Sequence, residues 1–302
     1  MHAVELRNIS KTFGKMAAVS DLSLTVPRGS IYGFIGPNGA GKTTTLRIIT
    51  GIFYPDAGSA QVFGEPVRGA CSARIGYLPE ERGLYKRMKV REILRFFAEL
   101  KGVRNAAAEV DGWLSRLGLA DSAQRKVEAL SKGMSQKVQF IATVVSHPEL
   151  LILDEPFSGL DPVNMEVIRT AILDLRNQGA TIILSTHDMA IAEKMCDFIC
   201  MIYQGRKVLD GTLASIQEAF GSDTVRLRTA AGAGAVVGLD GVEAINDFGQ
   251  LQELRLAVGG DPQAILAAVM QRTRITSFEV GKPSLHDIFV RIAGCAGNRD
   301  HP

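Results

Sequence analysis

The sequence lacks any long apolar run. No stretch approaches the roughly 18 consecutive apolar residues that a membrane-spanning helix needs, so no membrane span is expected. The N-terminal residues Met1-His2-Ala3-Val4-Glu5-Leu6-Arg7 carry no apolar signal core. Charge of one sign is also missing: the formal net charge is +2. That gives no reason to invoke nucleic acid, because a binding domain of that kind usually carries a strong basic excess. Only four cysteines occur, Cys71, Cys196, Cys200 and Cys295. Cys196 and Cys200 stand four apart, but no second pair completes a zinc site. Buried free thiols in a reducing compartment are expected instead. There is no internal repeat. What remains is an ordinary globular composition, 46% hydrophobic and 22% charged over 302 residues, enough for one large domain and a smaller one. The chain is expected in the cytosol, and any role at a membrane goes through a partner.

The pattern along the chain divides it. Val4, Leu6, Ile9, Val19, Leu22, Leu24 and Val26 alternate with polar residues, which predicts a small antiparallel sheet closed by the turn Pro27-Arg28-Gly29. Ile31 to Ile35, Ala60 to Phe63, Ile75 to Leu78, Leu150 to Leu153 and Ile182 to Ser185 read as strands, and Leu150 to Leu153 and Thr181 to Leu184 are short and apolar, as buried parallel strands are. Residues 90 to 130 turn helical. Ile93, Leu94, Phe96, Phe97 and Leu100 are expected on one side of a helix, and Val110, Trp113, Leu114 and Leu117 on another, with the aromatics in core packing. A helix around Met165 to Asn177 ends at Gly179, placed as a C-terminal cap. After about Phe220 the composition changes. Ala230 to Ala235 is small and flexible, strands are expected at Leu251 to Val258 and Ile275 to Val280, and helices at Asp261-Pro262 and Ser284. The reading is therefore α/β. Residues 1–220 form one domain, with a helical subdomain at about 90–130. Residues 221–302 form a small C-terminal α+β domain.

One loop carries the first chemical signal: Gly36-Pro37-Asn38-Gly39-Ala40-Gly41-Lys42-Thr43-Thr44. It is Gly, four residues, then Gly-Lys-Thr, between a strand and the helix start Thr45-Leu46-Arg47-Ile48-Ile49, the pattern of a phosphate-cradling loop. Glycines let backbone N–H groups turn inward around phosphate oxygens, and the helix N-terminus adds partial positive charge. Lys42 would reach the β- and γ-phosphates, and the Thr43 hydroxyl would bind magnesium. A bound nucleoside triphosphate with Mg2+ follows.

Four further elements sharpen it. Leu151-Ile152-Leu153-Asp154-Glu155-Pro156 ends an apolar strand in two carboxylates at the ligand-binding edge of a parallel sheet. Asp154 would hold magnesium through water, and Glu155 would act as general base on the attacking water. The competing reading is a strand stopping at a solvated acidic turn. Leu130-Ser131-Lys132-Gly133-Met134-Ser135-Gln136 precedes a helix expected from Gln136 to Val145, whose N-terminus offers amide donors to an anion; ordinary capping by Ser131 is the plainer reading. Ser158-Gly159-Leu160-Asp161 is a tight turn, and His187 follows a strand at the same sheet edge. A lone histidine at a strand end is usually structural.

In this order the elements resemble the ATP-binding subunit of an ABC transporter, over residues 1 to about 220. Gly36 to Thr43 is similar to the Walker A loop, Leu150 to Asp154 to the Walker B strand, Leu130 to Met134 to the signature motif, Ser158 to Asp161 to the D-loop and His187 to the switch histidine. The resemblance implies a P-loop NTPase core with an N-terminal antiparallel β-subdomain and an inserted helical subdomain that receives a transmembrane partner. It implies an ATPase in which Phe13 stacks on adenine and Glu80 stands near magnesium, where a glutamine is usual. Lys132 and Met134 likewise replace a Gly and a Gln of the signature. It also implies that two such subunits face each other head to tail, so that Ser131, Gly133 and Asp161 of one meet the ATP held by the other. Transmembrane permease subunits and a second ATP-binding subunit are thus the expected partners, and the inner face of the cell membrane the expected place. Gly281-Lys282-Pro283-Ser284-Leu285-His286-Asp287-Ile288-Phe289 resembles the end of the accessory domain in an exporter branch that includes sodium- and drug-export ATPases. The alternative left open is a soluble ATPase of the same type in DNA repair or translation.

Overall fold

A computed structural model of the chain describes residues 2–67, 74–81, 83–221, 224–257 and 259–297, the side chains of 294–297 excepted. The chain forms two compact units, Met1–Gly211 and Thr212–Pro302. The sequence places its change of character at about residue 220, because the helix Leu213–Ala219 reads like any other amphipathic segment.

In the first unit β1 (His2–Phe13) and β2 (Met16–Pro27) form a long hairpin. β3 (Ile31–Ile35) leads through the glycine loop into α1 (Lys42–Ile49). β4 (Ala57–Val62) and β5 (Glu65–Pro66) return to the hairpin, in a sheet of order β2-β1-β4-β5. β6 (Ile75–Leu78) is followed by α2 (Val90–Leu100), α3 (Ala106–Arg116) and α4 (Lys132–Val144). Then come β7 (Leu150–Asp154), α5 (Pro162–Asn177), β8 (Thr181–Thr186), α6 (Met189–Met195), β9 (Phe198–Tyr203) and β10 (Arg206–Gly211). The central sheet runs β10-β9-β3-β8-β7-β6. Its β9, β3, β8, β7 and β6 are parallel and only β10 runs against its neighbour.

Successive side chains on a strand face opposite sides, and the two faces build two cores. Leu151, Leu153, Ile182 and Leu184 pack with α2 to α5, through Ile93, Val110, Phe140 and Ile168. Leu150, Ile152, Ile183, Tyr32 and Phe34 pack with α1 and the antiparallel sheet, through Leu46, Ile48, Leu6 and Leu22. Burial on both faces explains why these strands read as continuous apolar runs.

Two sequence expectations change in the helical region. On α2 the buried residues are Val90, Ile93, Leu94 and Ala98. Phe96 and Leu100 are 42% and 69% exposed: Phe96 lies at the flank of that stripe and Leu100 is the last residue of the helix. Trp113 is buried as expected, edge-on to Phe140. The helix expected from Gln136 begins four residues earlier, at Lys132, because Ser131 caps it by accepting from the Met134 amide at 3.3 Å. Gly179 ends α5 with φ +100, as the sequence indicates. Cys196 and Cys200 are free thiols, half-buried and buried. Burial, then the Asp197 carboxylate, pushes Cys196 up to about 12. Cys71 and the Cys295 side chain lie outside the described residues.

The second unit holds α7 (Leu213–Ala219), β11 (Thr224–Thr229), β12 (Val242–Asp247), β13 (Gln252–Leu256), α8 (Pro262–Arg272), β14 (Ile275–Gly281) and α9 (Leu285–Gly297). Its antiparallel sheet runs β12-β13-β11-β14 around Val225, Leu227, Leu254, Leu256, Ile265 and Val269. β11 and β12 were not anticipated. The segment Ala230 to Ala235, expected to be flexible, contains a 3-10 turn at Gly232–Ala235 with Ala235 buried. Asp261 caps α8 with Pro262 in its first turn. Ser284 and Asp287 start α9 reciprocally: the Asp287 amide donates to Ser284 Oγ at 3.2 Å, and the Ser284 amide to Asp287 Oδ2 at 2.9 Å, a capping-box arrangement with Asp as the returning acid.

Candidate nucleotide-binding site

β3 stops at Ile35 and α1 starts at Lys42, so the glycine loop turns at the C-terminal edge of the sheet. Glycine is required there for space as well as backbone angle. A Cβ on Gly36 (φ +153) would stand 2.2 Å from the Ile202 carbonyl oxygen, and one on Gly41 (φ +105) 2.4 Å from that of Ala18. Lys42 is 6% exposed, and its Nζ donates to the carbonyls of Gly36 at 2.7 Å and Pro37 at 3.1 Å. Burial holds its pKa below the usual lysine value, against the opposing pull of Glu155, Asp154 and Glu80. A cation held in a buried loop with three carboxylates around it suits a phosphate chain accompanied by a metal.

The carboxylates arrive from neighbouring strands. Asp154 ends β7 and is 1% exposed. Thr43 Oγ1 donates to its Oδ2 at 2.9 Å and Ser185 Oγ, from β8, to its Oδ1 at 2.7 Å. Glu155, in the left-handed region at φ +51, is 8% exposed. Its Oε1 accepts from the His187 amide at 2.9 Å and meets His187 Nδ1 at 2.7 Å; Thr186 Oγ1 stands 3.4 Å from Oε2. The left-handed turn at Glu155 separates two carboxylates that would otherwise continue one strand. Asp154 stays with the loop threonine, and Glu155 swings to the histidine. The His187 side chain is 59% exposed, so the histidine at the strand end is engaged on Glu155 rather than packed in the core.

Phe13, Met16, Ala18, Asn38 to Thr44, Glu80, Asp154 and Glu155 line one cavity of about 410 Å3. Phe13, at the end of β1, is 42% exposed and packs edge-on against Phe53 at 5.4 Å, so the loop and an aromatic ring face one space. A larger hollow of about 620 Å3 on α5, lined by residues such as Pro162, Val163 and Val167, contains no such loop.

Six residues of the predicted site do not line this cavity: Gly36 and Pro37, whose carbonyls hold Lys42, His187, which engages Glu155, and Ser131, Gly133 and Asp161. Ser131 caps α4. Asp161 caps α5 through an Oδ1 bond from the Asn164 amide at 2.9 Å, and the Asn164 donors hold its carboxyl below the usual range. The two helix starts adjoin: a Cβ on Gly133 would meet Asn164 Nδ2 at 3.5 Å and Leu160 at 3.6 Å. The Lys132 side chain crosses Gly159, where an added Cβ would lie 2.3 Å from its Cε. Sequence reasoning missed Ser185, whose only signal is a hydroxyl ending an otherwise apolar strand. It also missed Gln136, whose Nε2 donates to the Pro156 carbonyl at 3.1 Å.

The donor set fits magnesium. Thr43, Asp154 and Glu80 offer hard oxygen ligands, and Mg2+ is typically bound by one or two carboxylates together with substrate phosphates. Among the described residues no group of three or more His, Cys, Asp or Glu could hold a metal ion.

Comparison with known proteins agrees with this geometry. Residues 19–158 match the family described as ABC transporter. Residues 211–293 match that described as ATP-binding protein DrrA1-3-like, C-terminal domain. The ABC transporter ATP-binding protein YhaQ of Bacillus subtilis (strain 168) is 42% identical over 289 residues, 95% of this chain and 97% of that protein. Nod factor export ATP-binding protein I of Burkholderia lata is 34% identical over 299 residues, 96% and 97% of the two chains. The solved structure of an ATP-binding subunit of an ABC transporter superposes with a TM-score of 0.67 at 32% identity, covering 72% of this chain and 93% of that one. The chain belongs to the ATP-binding proteins of ABC transporters, with a C-terminal domain of the DrrA-like kind.

Proposed function

We propose that the chain is the ATP-hydrolysing subunit of an exporter, that it pairs on ATP with a second ATP-binding subunit, its own copy or a close relative, and that it drives separate transmembrane permease subunits from the cytoplasmic face of the membrane. The observation that carries hydrolysis is the division of labour between adjacent carboxylates. Asp154 is tied to Thr43, and Glu155 is tied to His187.

Lys42 and the loop amides bind the phosphate chain, and Phe13 stacks on the base. Asp154, Thr43 and Glu80 would hold the cation. Bound with ATP, magnesium would neutralise charge that develops on the phosphates. Glu155 takes the proton of the attacking water. His187 fixes the Glu155 carboxylate in place and keeps its exposed side free for the γ-phosphate. The pairing reading is supported by Ser131, Gly133 and Asp161, which adjoin one another outside the cavity: a second subunit is what brings such a surface to a nucleotide. Its α4 N-terminus would then lie over the γ-phosphate. ATP closes the pair and hydrolysis releases it, a two-state change biased by ligand.

The permease surface is assigned to the segment 80–87, of which residue 82 lies outside the described residues, and to α2 and α3. Tyr85 and Phe96, 58% and 42% exposed, meet edge to face at 6.3 Å beside a hollow of about 470 Å3 lined by Met88, Arg91, Arg95 and Phe96 among others. Among the described residues no helix is long and apolar enough to cross a membrane, which leaves that task to a partner. Export is supported by the DrrA-like domain and by relatives named for export.

The test is turnover against binding. Glu155→Gln should keep ATP binding and lower hydrolysis by about 10²- to 10⁴-fold; turnover near wild type would reject Glu155 as the base. Lys42→Ala should lose most nucleotide affinity, and an unchanged ATP Kd would reject the loop assignment.

A further inference from the structure

Gln139 lies in the middle of α4 and is 5% exposed. Its Nε2 donates to the carbonyl of Pro79 at 3.3 Å and to that of Glu81 at 3.1 Å. Only an NH2 group can serve two carbonyls, so the orientation of the amide is set by its partners. Its Oε1 is buried and has no hydrogen-bond partner among the described residues. Burying that carbonyl costs free energy that a leucine of similar size would not incur, and the two donors offset it.

The two acceptors flank Glu80, which lines the nucleotide cavity with Thr43, Asp154 and Glu155. β6 is the edge strand of the central sheet and ends at Leu78, so the chain leaves the sheet just before Glu80. Gln139 pins it there. Three residues earlier on the same helix, Gln136 holds the Pro156 carbonyl, directly after Glu155. One rigid helix therefore grips the backbone beside Glu80 and beside the Asp154–Glu155 pair, and so fixes the spacing between the two acidic arms.

We infer that Gln139 is a positioning residue for the Glu80 carboxylate, and that through it α4 sets the affinity for the divalent cation that accompanies ATP. The inference rests on the nucleotide-site reading above. Its test uses the full chain with Mn2+ as the probe, followed by electron paramagnetic resonance in the presence of a non-hydrolysable ATP analogue. Gln139→Leu keeps the volume and removes the donors. It should weaken Mn2+ binding about tenfold and leave analogue affinity in EDTA unchanged. In a Glu80→Ala background it should have no further effect. Gln139→Asn, whose amide falls short of the carbonyls, should behave like Gln139→Leu and serves if the leucine chain does not fold. An equal loss with and without Glu80, or wild-type Mn2+ affinity in a folded variant, overturns the inference alone. A wild-type chain that takes up no analogue in EDTA overturns the site reading and the inference with it.

Discussion

Removing the Ser185 hydroxyl tests the electrostatics at the centre of the site. Ser185 and Asp154 are 0% and 1% exposed, and the Oγ–Oδ1 bond is 2.7 Å long. Ser185→Ala leaves almost no cavity, so its cost is the lost donor. A hydrogen bond to a charged group contributes about 1.5–3 kcal/mol, and burial here removes water as a substitute, so a loss of ~2 kcal/mol is expected. Thr43 still donates to Oδ2 at 2.9 Å, which keeps the carboxylate from being stranded. At about 2–4 °C per kcal/mol for a unit of this size, the melting temperature should fall by ~4–8 °C. Trp113 is the sole tryptophan of the chain and is buried in the same unit, so its fluorescence in urea reports unfolding of that unit alone. The midpoint should drop with an unchanged m value. In an Asp154→Asn background the bond is neutral, and the same substitution should cost only about 1 kcal/mol. A loss below about 0.5 kcal/mol, or an equal loss in both backgrounds, would refute the charge-assisted bond.

Two further outcomes follow from named contacts. Gly36→Ala drives a Cβ to 2.2 Å from the Ile202 carbonyl oxygen, whereas Gly39→Ala (φ +78) meets nothing within 4 Å. Gly36→Ala should therefore weaken ATP binding at least about tenfold, a loss of ~1.4 kcal/mol. Gly39→Ala should retain binding at a cost of about 1–2 kcal/mol in stability. Calorimetric titration of both decides it, and equal losses would show that the backbone angle, not space, governs the loop. In the second unit, burial pushes the Glu253 carboxyl above its ordinary 4.5; a hydrogen bond shared with Asp287 adds to the shift and Arg226 opposes it. The folded state holds that proton more tightly than the unfolded one. The stability it supplies is present below pH 4.5 and is lost as pH rises through the raised value. Asp287 moves the other way: burial raises it, but the hydrogen bonds from Ser284 and Glu253 together with Arg226 outweigh that burial, so its own dependence lies below 3.8. Glu253→Gln should abolish the decline above pH 4.5 in amide-exchange protection of β11 and β13; an unchanged decline would locate the titration elsewhere.

The loop at Gly36 to Thr43 was legible because its glycines, lysine and threonine stand at a fixed spacing between a strand and a helix. Asp154 and Glu155 were legible because carboxylates end an apolar strand. What stayed hidden is long-range. Nothing around Ser185 states that a strand neighbour presents a carboxylate. Gln136, Lys137 and Gln139 look like polar residues on the outside of a helix, yet all three are buried, 3%, 7% and 5% exposed. Only the folded chain reveals which backbone each one serves. Phe96 shows the opposite limit: periodicity identified an apolar helix but not which flank of it would be covered.

In this chain the partners of Gln136, Lys137 and Gln139 on α4 are backbone groups, and those of Gln136 and Gln139 lie in the loops beside the site. Gln136 donates to the Pro156 carbonyl, Lys137 Nζ to that of Leu117 at 2.7 Å, and Gln139 to those of Pro79 and Glu81. Every acceptor is a backbone oxygen, which any residue type supplies. Lys137, its pKa lowered by burial against a weaker pull from Asp161, caps the end of α3 where the helix leaves carbonyls unpaired. A helix that grips main chain leaves the side chains between the grips free to vary. Glu80 sits between two such grips, so a carboxylate can stand where an amide is usual without moving the loop. Lys132 stands one residue past the cap at Ser131, and its long stem lies over Gly159, which has no side chain to obstruct it. The departure at Glu80 therefore alters charge at the cavity, and that at Lys132 alters charge beside the start of α4, and neither changes the backbone contacts around it. Their consequences should appear in metal and phosphate affinity before they appear in stability.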